Sequence, residues 1–170
     1  KSSQAINFPA LADRYFSEGG TPLNATSTSG LTVTFTSSTT SVCTITSGGV
    51  LTFVAAGTCT INADQAGDSS YLPATPISRS FTVNPVAPGA PTIGTAVAGD
   101  TQASVAFTAP VNTGGTSITG YTVTVSPPDV APVNGAASPI VVNGLTNGQA
   151  YTFTVTADNS AGTSPASVAS

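Results

Sequence analysis

Two cysteines are the residues whose type and spacing most directly imply chemistry in this chain. Cys43 stands in Val-Cys-Thr-Ile and Cys59 in Thr-Cys-Thr-Ile, so each lies in a short run typical of a β-strand. Paired as a disulfide, they would stabilise the fold by about 3 kcal/mol in the chain-entropy model and would imply an oxidising compartment. Two buried free thiols are the alternative. Zinc is disfavoured, because two isolated cysteines without histidine cannot complete a tetrahedral site.

A pair of aspartates offers the second candidate site. Asp64 and Asp68 flank a Gln-Ala-Gly loop, where they could bind Ca²⁺ together with backbone carbonyl groups. A solvated turn is favoured over this site, because Ca²⁺ takes about six to eight oxygen ligands and no bidentate Glu accompanies the pair. We therefore expect no metal and no cofactor, and Asp64 and Asp68 are the only metal candidates.

Composition excludes several classes of function. Histidine is absent and the single lysine is residue 1, so the nucleophile–base pairs of hydrolases cannot be assembled and no catalytic residue is predicted. Three Lys/Arg against seven Asp/Glu give a formal net charge of −4, which disfavours nucleic acid as a partner. The most apolar stretches, 49–57 and 86–99, are too short or too interrupted by Pro and Gly to insert into a membrane as helices.

Short runs of alternating apolar and polar residues must position these side chains. Residues 31–36 read Leu-Thr-Val-Thr-Phe-Thr, which places the apolar side chains on one face and three threonines on the other. Six further strands are predicted over 5–8, 23–27, 42–46, 50–55, 58–63 and 77–83. A short helix or turn is considered only near residues 11–16. This number of strands in the first half of the chain predicts an all-β fold, a β-sandwich.

The alternation stops where three prolines fall within residues 85–91, which predicts a semi-rigid linker over 85–90. A second set of strands follows over 92–97, 103–109, 120–126, 140–142 and 150–159, with an incomplete last strand from residue 164. We therefore predict two tandem β-sandwiches, one over 1–84 and one over 91–170. Residue 1 is not Met, and we expect the chain to be a piece of a longer protein.

The first half resembles a bacterial immunoglobulin-like repeat of large surface and secreted proteins. The resemblance covers 4–84 and is carried by Gln-Ala-Ile-Asn-Phe (4–8), Ser-Gly-Leu-Thr-Val-Thr-Phe-Thr-Ser-Ser (29–38), Ser-Val-Cys-Thr-Ile (41–45), Ala-Ala-Gly-Thr-Cys-Thr-Ile (55–61) and Gln-Ala-Gly-Asp-Ser-Ser-Tyr (65–71). It implies an immunoglobulin-like sandwich in which the paired cysteines are structural, which favours a Cys43–Cys59 disulfide. It implies no catalytic residue.

The second half is similar to a fibronectin type III domain. Its segments 103–110, 118–125 and 145–155 resemble the second strand, the third strand and the loop into the sixth strand of that family. The resemblance implies that Tyr151 forms the tyrosine corner, its hydroxyl bonded to upstream backbone and its ring in the core. Phe107 stands where the family usually has Trp. The last strand, 164–170, ends early, so we expect either further chain or an open sheet edge.

Together these features predict non-catalytic spacer or adhesion modules of a secreted or cell-surface bacterial protein. Two alternatives stay open: accessory modules of an extracellular hydrolase, and subunits of an extracellular filament or sheath that assemble through open strand edges. The expected partners are protein or carbohydrate surfaces, or further copies of the chain. The expected location is extracellular or at the cell surface.

Overall fold

A computed structural model describes all residues from Lys1 to Ser170. The chain forms two compact units, Lys1–Pro85 and Val86–Ser170, here called the first and second unit. Apart from one 3-10 helix, Phe16–Glu18, every regular element is a β-strand. Thr, Val and Ile fill nearly half of the strand positions, because β-branched side chains pack well on a pleated surface.

The first unit contains eight strands in three sheets. They are β1 (Ile6–Asn7), β2 (Arg14–Tyr15), β3 (Thr26–Ser27), β4 (Thr34–Ser37), β5 (Cys43–Ile45), β6 (Leu51–Phe53), β7 (Gly57–Asp64) and β8 (Ile77–Asn84). A four-stranded sheet has the order β2-β8-β7-β4, while β1 pairs with β3 and β5 pairs with β6. The two small sheets and the larger sheet enclose one apolar core.

Strand β7 shows why this sequence folds as a half-buried sheet. Cys59, Ile61 and Ala63 alternate along it and are fully buried, while the residues between them are partly exposed. Phe8 and Phe35 meet edge to face in the same core, with 5.6 Å between ring centroids. The period-two pattern therefore decides which side chains form the core.

The short helix considered over 11–16 is wrong. Arg14 and Tyr15 instead form β2, which runs parallel to β8, and the 3-10 helix begins only at Phe16. The carboxylate of Asp13 accepts a hydrogen bond from the backbone N–H of Thr82 at 2.6 Å, which fixes this segment against β8. A contact between residues so distant in sequence leaves no local periodicity to detect.

The second unit contains seven strands in two sheets. They are β9 (Thr92–Gly99), β10 (Gln102–Thr108), β11 (Gly120–Ser126), β12 (Val133–Gly135), β13 (Ile140–Asn143), β14 (Thr152–Asn159) and β15 (Gly162–Thr163). One sheet has the order β13-β10-β9 and the other β12-β11-β14-β15. Strand β12 was not predicted, since its sequence Val-Asn-Gly ends in Asn-Gly, a pair typical of turns.

Buried side chains from both sheets form the core of the second unit. Val105 in β10, Val123 in β11 and Val155 in β14 are fully buried. Both units are thus layered β-sandwiches, and the prediction of an all-β chain with two tandem immunoglobulin-like sandwiches is confirmed.

Most of the segment predicted as a linker over 85–90 is attached to the second unit. The backbone N–H of Val86 donates to the carbonyl of Gly114 at 3.0 Å, and that of Gly89 donates to the carbonyl of Asn112 at 2.8 Å. Pro88 is buried. The division between the units therefore falls after Pro85.

Candidate functional site

The cysteine pair cross-links two sheets of the first unit. Cys43 in β5 and Cys59 in β7 form a disulfide with 5.7 Å between their Cα atoms, and both are completely buried. The predicted pairing is confirmed, and free thiols are excluded. Strand β5 belongs to a two-stranded sheet and β7 to the four-stranded sheet, so the bond joins the two layers directly.

The two aspartates predicted as metal candidates have structural contacts. One carboxylate oxygen of Asp68 accepts hydrogen bonds from the backbone N–H groups of Ser70 and Tyr71, at 2.7 and 2.8 Å, and so closes a turn. Asp64 ends β7, where its backbone carbonyl accepts a hydrogen bond from the hydroxyl of Thr34. No three His, Cys, Asp or Glu side chains lie together as ligands for a metal ion.

Phe107 occupies the core of the second unit. Its ring is 8% exposed and lies 4.7 Å, centroid to centroid, from the ring of Tyr121 in the facing sheet. Aromatic pairs at this distance contribute about 0.5–1.5 kcal/mol beyond the area they bury. Phe107 therefore connects the two layers of this unit by packing alone.

Tyr151 precedes β14 at the loop 144–151 and joins two loops through its hydroxyl. The hydroxyl accepts a hydrogen bond from the backbone N–H of Thr146 at 3.1 Å and donates one to the carboxylate of Asp129 at 2.7 Å. The ring is half-buried and packs against the core. The structure thus places Tyr151 in a tyrosine-corner arrangement, with Asp129 as a second partner that the sequence does not indicate.

Asn159 is a buried residue that the sequence analysis missed. Its amide nitrogen donates to the carbonyls of Val86 and Thr113, at 2.8 and 2.9 Å, and its amide oxygen accepts from the backbone N–H groups of Ala161 and Gly162. The side chain therefore holds the start of the second unit against two of its loops. The sequence contains one signal of its burial: Asn159 continues the alternation in which every second residue of β14 is buried.

The C-terminal segment 164–170 runs along β14 as a ladder built with serine side chains. In each step a serine backbone N–H donates to a β14 carbonyl, and the hydroxyl of the same serine accepts from the N–H of that β14 residue. The three pairs are Ser164 with Ala157, Ser167 with Val155 and Ser170 with Phe153, at 2.8 to 3.0 Å. The predicted last strand from residue 164 is therefore not a regular strand, but its serines still bond to one edge of β14.

A comparison with protein families identifies the second unit. The sequence over residues 86–170 matches the Fibronectin type III domain. This chain belongs to the fibronectin type III family. The matched residues are those of the second unit, and the fibronectin type III domain thus includes 86–90 of the segment predicted as a linker. No curated protein matches the chain.

Solved structures of multidomain proteins are similar to this chain in fold. The rat CD45 extracellular region, domains d3-d4, is 22% identical over 53% of this chain and 52% of its own, with a TM-score of 0.47. The chicken CNTN1 FN1-FN3 domains are 14% identical over 100% of this chain and 64% of theirs, with a TM-score of 0.46. The chain therefore spans less than two thirds of either structure.

Membership in this family indicates a coarse role, that of a module without catalytic activity. Tandem fibronectin type III and immunoglobulin-like modules are typically non-catalytic adhesion or spacer modules, and the first unit is a β-sandwich that precedes the fibronectin type III domain. A disulfide in such a module is typical of extracellular proteins. No helix in the structure has the length and apolar character needed to cross a membrane.

Proposed function

We propose that the chain is a pair of spacer or adhesion modules in a secreted or cell-surface bacterial protein, with the first unit a bacterial immunoglobulin-like repeat. The observation that carries the proposal is a fibronectin type III domain in tandem with a disulfide-linked sandwich. Such modules act by holding a shape between the segments on either side. Protein or carbohydrate surfaces would be their partners.

The use of polar side chains supports this role. Cys43 and Cys59 join two layers, Asp68 closes a turn, and Tyr151 and Asn159 fasten loops. Each of these groups forms its bond with another part of the same fold. A module that resists deformation needs side chains used in this way, whereas a catalyst needs groups left free to contact a substrate.

The test replaces residues 1–170 in the parent protein with a Gly-Ser chain of the same length. We expect the segment beyond the modules to lose its display at the cell surface, measured by antibody binding to intact cells. Any enzymatic activity of the detergent-solubilised parent should stay unchanged. Loss of that activity, or turnover of a substrate by residues 1–170 alone, would contradict the proposal.

A second candidate function, assembly between copies, is favoured by one sheet edge. Strand β9 pairs only with β10, so its other side lies at the edge of the sheet. It is eight residues long, contains no charged residue or proline, and exposes 60% of Val97. Long uncharged edges of this kind pair with other strands, and natural sheets usually block them with Lys or Pro.

Assembly through β9 can be tested by sedimentation of the purified chain over a range of concentrations. Self-association should be reduced by Val97→Lys, because a lysine on the strand edge opposes pairing. Val111→Lys is the matched control, since Val111 is fully exposed in a loop. A chain that stays monomeric at every concentration would exclude this second function.

A further inference from the structure

Three Asn-Gly pairs lie in the fibronectin type III domain: 134–135, 143–144 and 147–148. Asparagine is thermally labile. Before glycine, its side-chain amide is open to attack by the next backbone nitrogen, since glycine has no Cβ to hinder the approach. The three pairs therefore share one reaction and differ only in how the fold holds them.

Secondary structure constrains two of the three pairs. Asn134 and Gly135 lie within β12, opposite Thr122 and Tyr121 in the ladder with β11. Asn143 ends β13, and the N–H of Gly144 donates to the carbonyl of Thr101 at 2.9 Å. At both sites the ladder or a hydrogen bond must open before the backbone nitrogen can reach the side chain.

The third pair is free of this constraint. Asn147 and Gly148 occupy the middle of an exposed turn that is closed by a hydrogen bond from the N–H of Gln149 to the carbonyl of Thr146, at 3.2 Å. The N–H of Gly148 makes no hydrogen bond within the protein, and no atom lies within 4 Å of the position a Cβ would take there. The attacking nitrogen is therefore accessible only at this pair.

The fold also orients the amide of Asn147. Its oxygen accepts a hydrogen bond from the backbone N–H of Thr101 at 3.0 Å, and its nitrogen donates to the carboxylate of Asp100 at 2.7 Å. Thr101 is the one non-glycine residue with a positive φ, 54°, a costly conformation for a β-branched side chain. A donor fixed on the amide oxygen stabilises the negative charge that develops there during attack.

We propose that Asn147 is a site of spontaneous deamidation that adds a negative charge to the fibronectin type III domain as the protein ages. The nitrogen of Gly148 bonds to Cγ of Asn147, the Cγ–Nδ2 bond breaks, and ammonia leaves with the proton from the Gly148 N–H. Solvent water then opens the cyclic imide at either carbonyl, giving aspartate or isoaspartate at position 147. The N–H of Thr101 faces the oxygen that carries the developing charge.

The product changes the contact with Asp100. The native amide donates a hydrogen bond to that carboxylate, whereas a carboxylate at position 147 has no hydrogen to donate and carries the same charge. No Lys or Arg lies in residues 86–170 to compensate. We therefore expect the loop around Asp100 and the turn at 146–149 to separate after deamidation.

The test follows the folded, oxidised chain during incubation at mildly alkaline pH. Peptide mass spectrometry measures conversion at the three asparagines in the same samples. Position 147 should convert at least about tenfold faster than 134 and 143, because those positions react only after local opening. The same chain, reduced in concentrated urea, is the control and should convert all three at similar rates. Conversion at 147 no faster than at either other site in the folded chain would overturn the proposal.

Two variants test the consequence of the added charge. Asn147→Asp should lower the melting temperature of this domain by about 4–8 °C at neutral pH, the shift typical of one lost contact in a domain of this size. Acidification should remove part of the difference, because protonation of the carboxyl introduced at position 147 restores a hydrogen-bond donor. Asn147→Ser removes both hydrogen bonds of the amide without adding charge, so its shift should be independent of pH. Equal, pH-independent shifts for both variants would overturn the charge effect.

Discussion

The two units have cores of similar size but join their layers differently. Thirteen buried residues form the first core and twelve the second. In the first unit the strands outside the four-stranded sheet are only two or three residues long, and a disulfide joins one of them to β7. In the second unit both sheets contain strands of seven or eight residues, and no disulfide is present. The comparison indicates that the covalent bond compensates for a layer with few ladder hydrogen bonds.

Charge is also divided unevenly between the units. All three Lys/Arg lie in the first unit, while the second has Asp100, Asp129 and Asp158 and no cation. Each of these carboxylates accepts a hydrogen bond from an uncharged side chain, from Asn147, Tyr151 and Thr163 respectively. In the second unit, amide and hydroxyl groups therefore donate the hydrogen bonds that the carboxylates need. We expect the stability of this unit to be the more sensitive to loss of such amides and hydroxyls.

The largest expected effect is the removal of the aromatic ring that connects the layers of the second unit. Phe107→Ala should lower the free energy of unfolding of this unit by about 3–5 kcal/mol, through lost burial and the cavity left behind. The measurement is urea unfolding followed by hydrogen exchange, which reports each unit separately. Phe107→Leu keeps more of the apolar volume and should cost less. Equal destabilisation of the first unit would contradict the role of Phe107 as a contact within the second unit alone.

Breaking the disulfide should have the next largest effect, and in the other unit. Replacing Cys43 and Cys59 together by Ala, or reducing the bond, should lower the free energy of unfolding of the first unit by about 3 kcal/mol. The second unit contains no cysteine and should not change. Thermal unfolding with and without reductant measures both. A first unit that is indifferent to reductant would refute the compensation described above.

Removal of the buried amide of Asn159 should destabilise the second unit, whereas removal of an exposed amide should not. Asn159→Ala leaves the carbonyls of Val86 and Thr113 and two backbone N–H groups without their partner. We expect a loss of about 2–3 kcal/mol in the free energy of unfolding and faster hydrogen exchange near Val86. Asn134→Ala, at an exposed strand position, should stay within about 0.5 kcal/mol of the native chain.

The smallest expected effect is loss of the hydroxyl of Tyr151. Tyr151→Phe removes the hydrogen bonds to Thr146 and Asp129 but keeps the ring in place. The free energy of unfolding of the second unit should fall by about 1 kcal/mol. Tyr15→Phe in the first unit, where the side chain is 55% exposed, is the control and should have no measurable effect. Equal effects of the two variants would show that the hydroxyl of Tyr151 contributes nothing.

Alternation along the sequence predicts the long strands because burial itself alternates along them. The strand predicted over 120–126 coincides with β11, and the one over 58–63 lies within β7. The short strands β2, β12 and β15 were missed, because none of them belongs to a longer run of alternating apolar and polar residues. Strand β2 also depends on a hydrogen bond from Thr82 to Asp13, which no local pattern reveals.

Side-chain contacts were predictable where a family resemblance implies them, as for the hydroxyl of Tyr151, or where a residue type limits the choice of partner. Two cysteines can pair in one way within a chain, so the disulfide was accessible from sequence. The serines at 164, 167 and 170 recur every third residue, a visible signal that a search for period-two strands overlooks. The positive φ of Thr101 and its hydrogen bond to Asn147 depend on how two distant loops meet, which the sequence does not encode locally.

Stretching single molecules of the chain tests the central claim, that a covalent link holds the first unit and noncovalent contacts alone hold the second. The two cysteines of the disulfide are separated by 16 positions in the sequence, so the bond closes a loop of that length. Reductant should therefore lengthen the extension released by the first unit by about 55 Å, at about 3.3–3.6 Å per residue, and leave that of the second unchanged. Release of the same length with and without reductant, or a change in the second unit, would contradict the account.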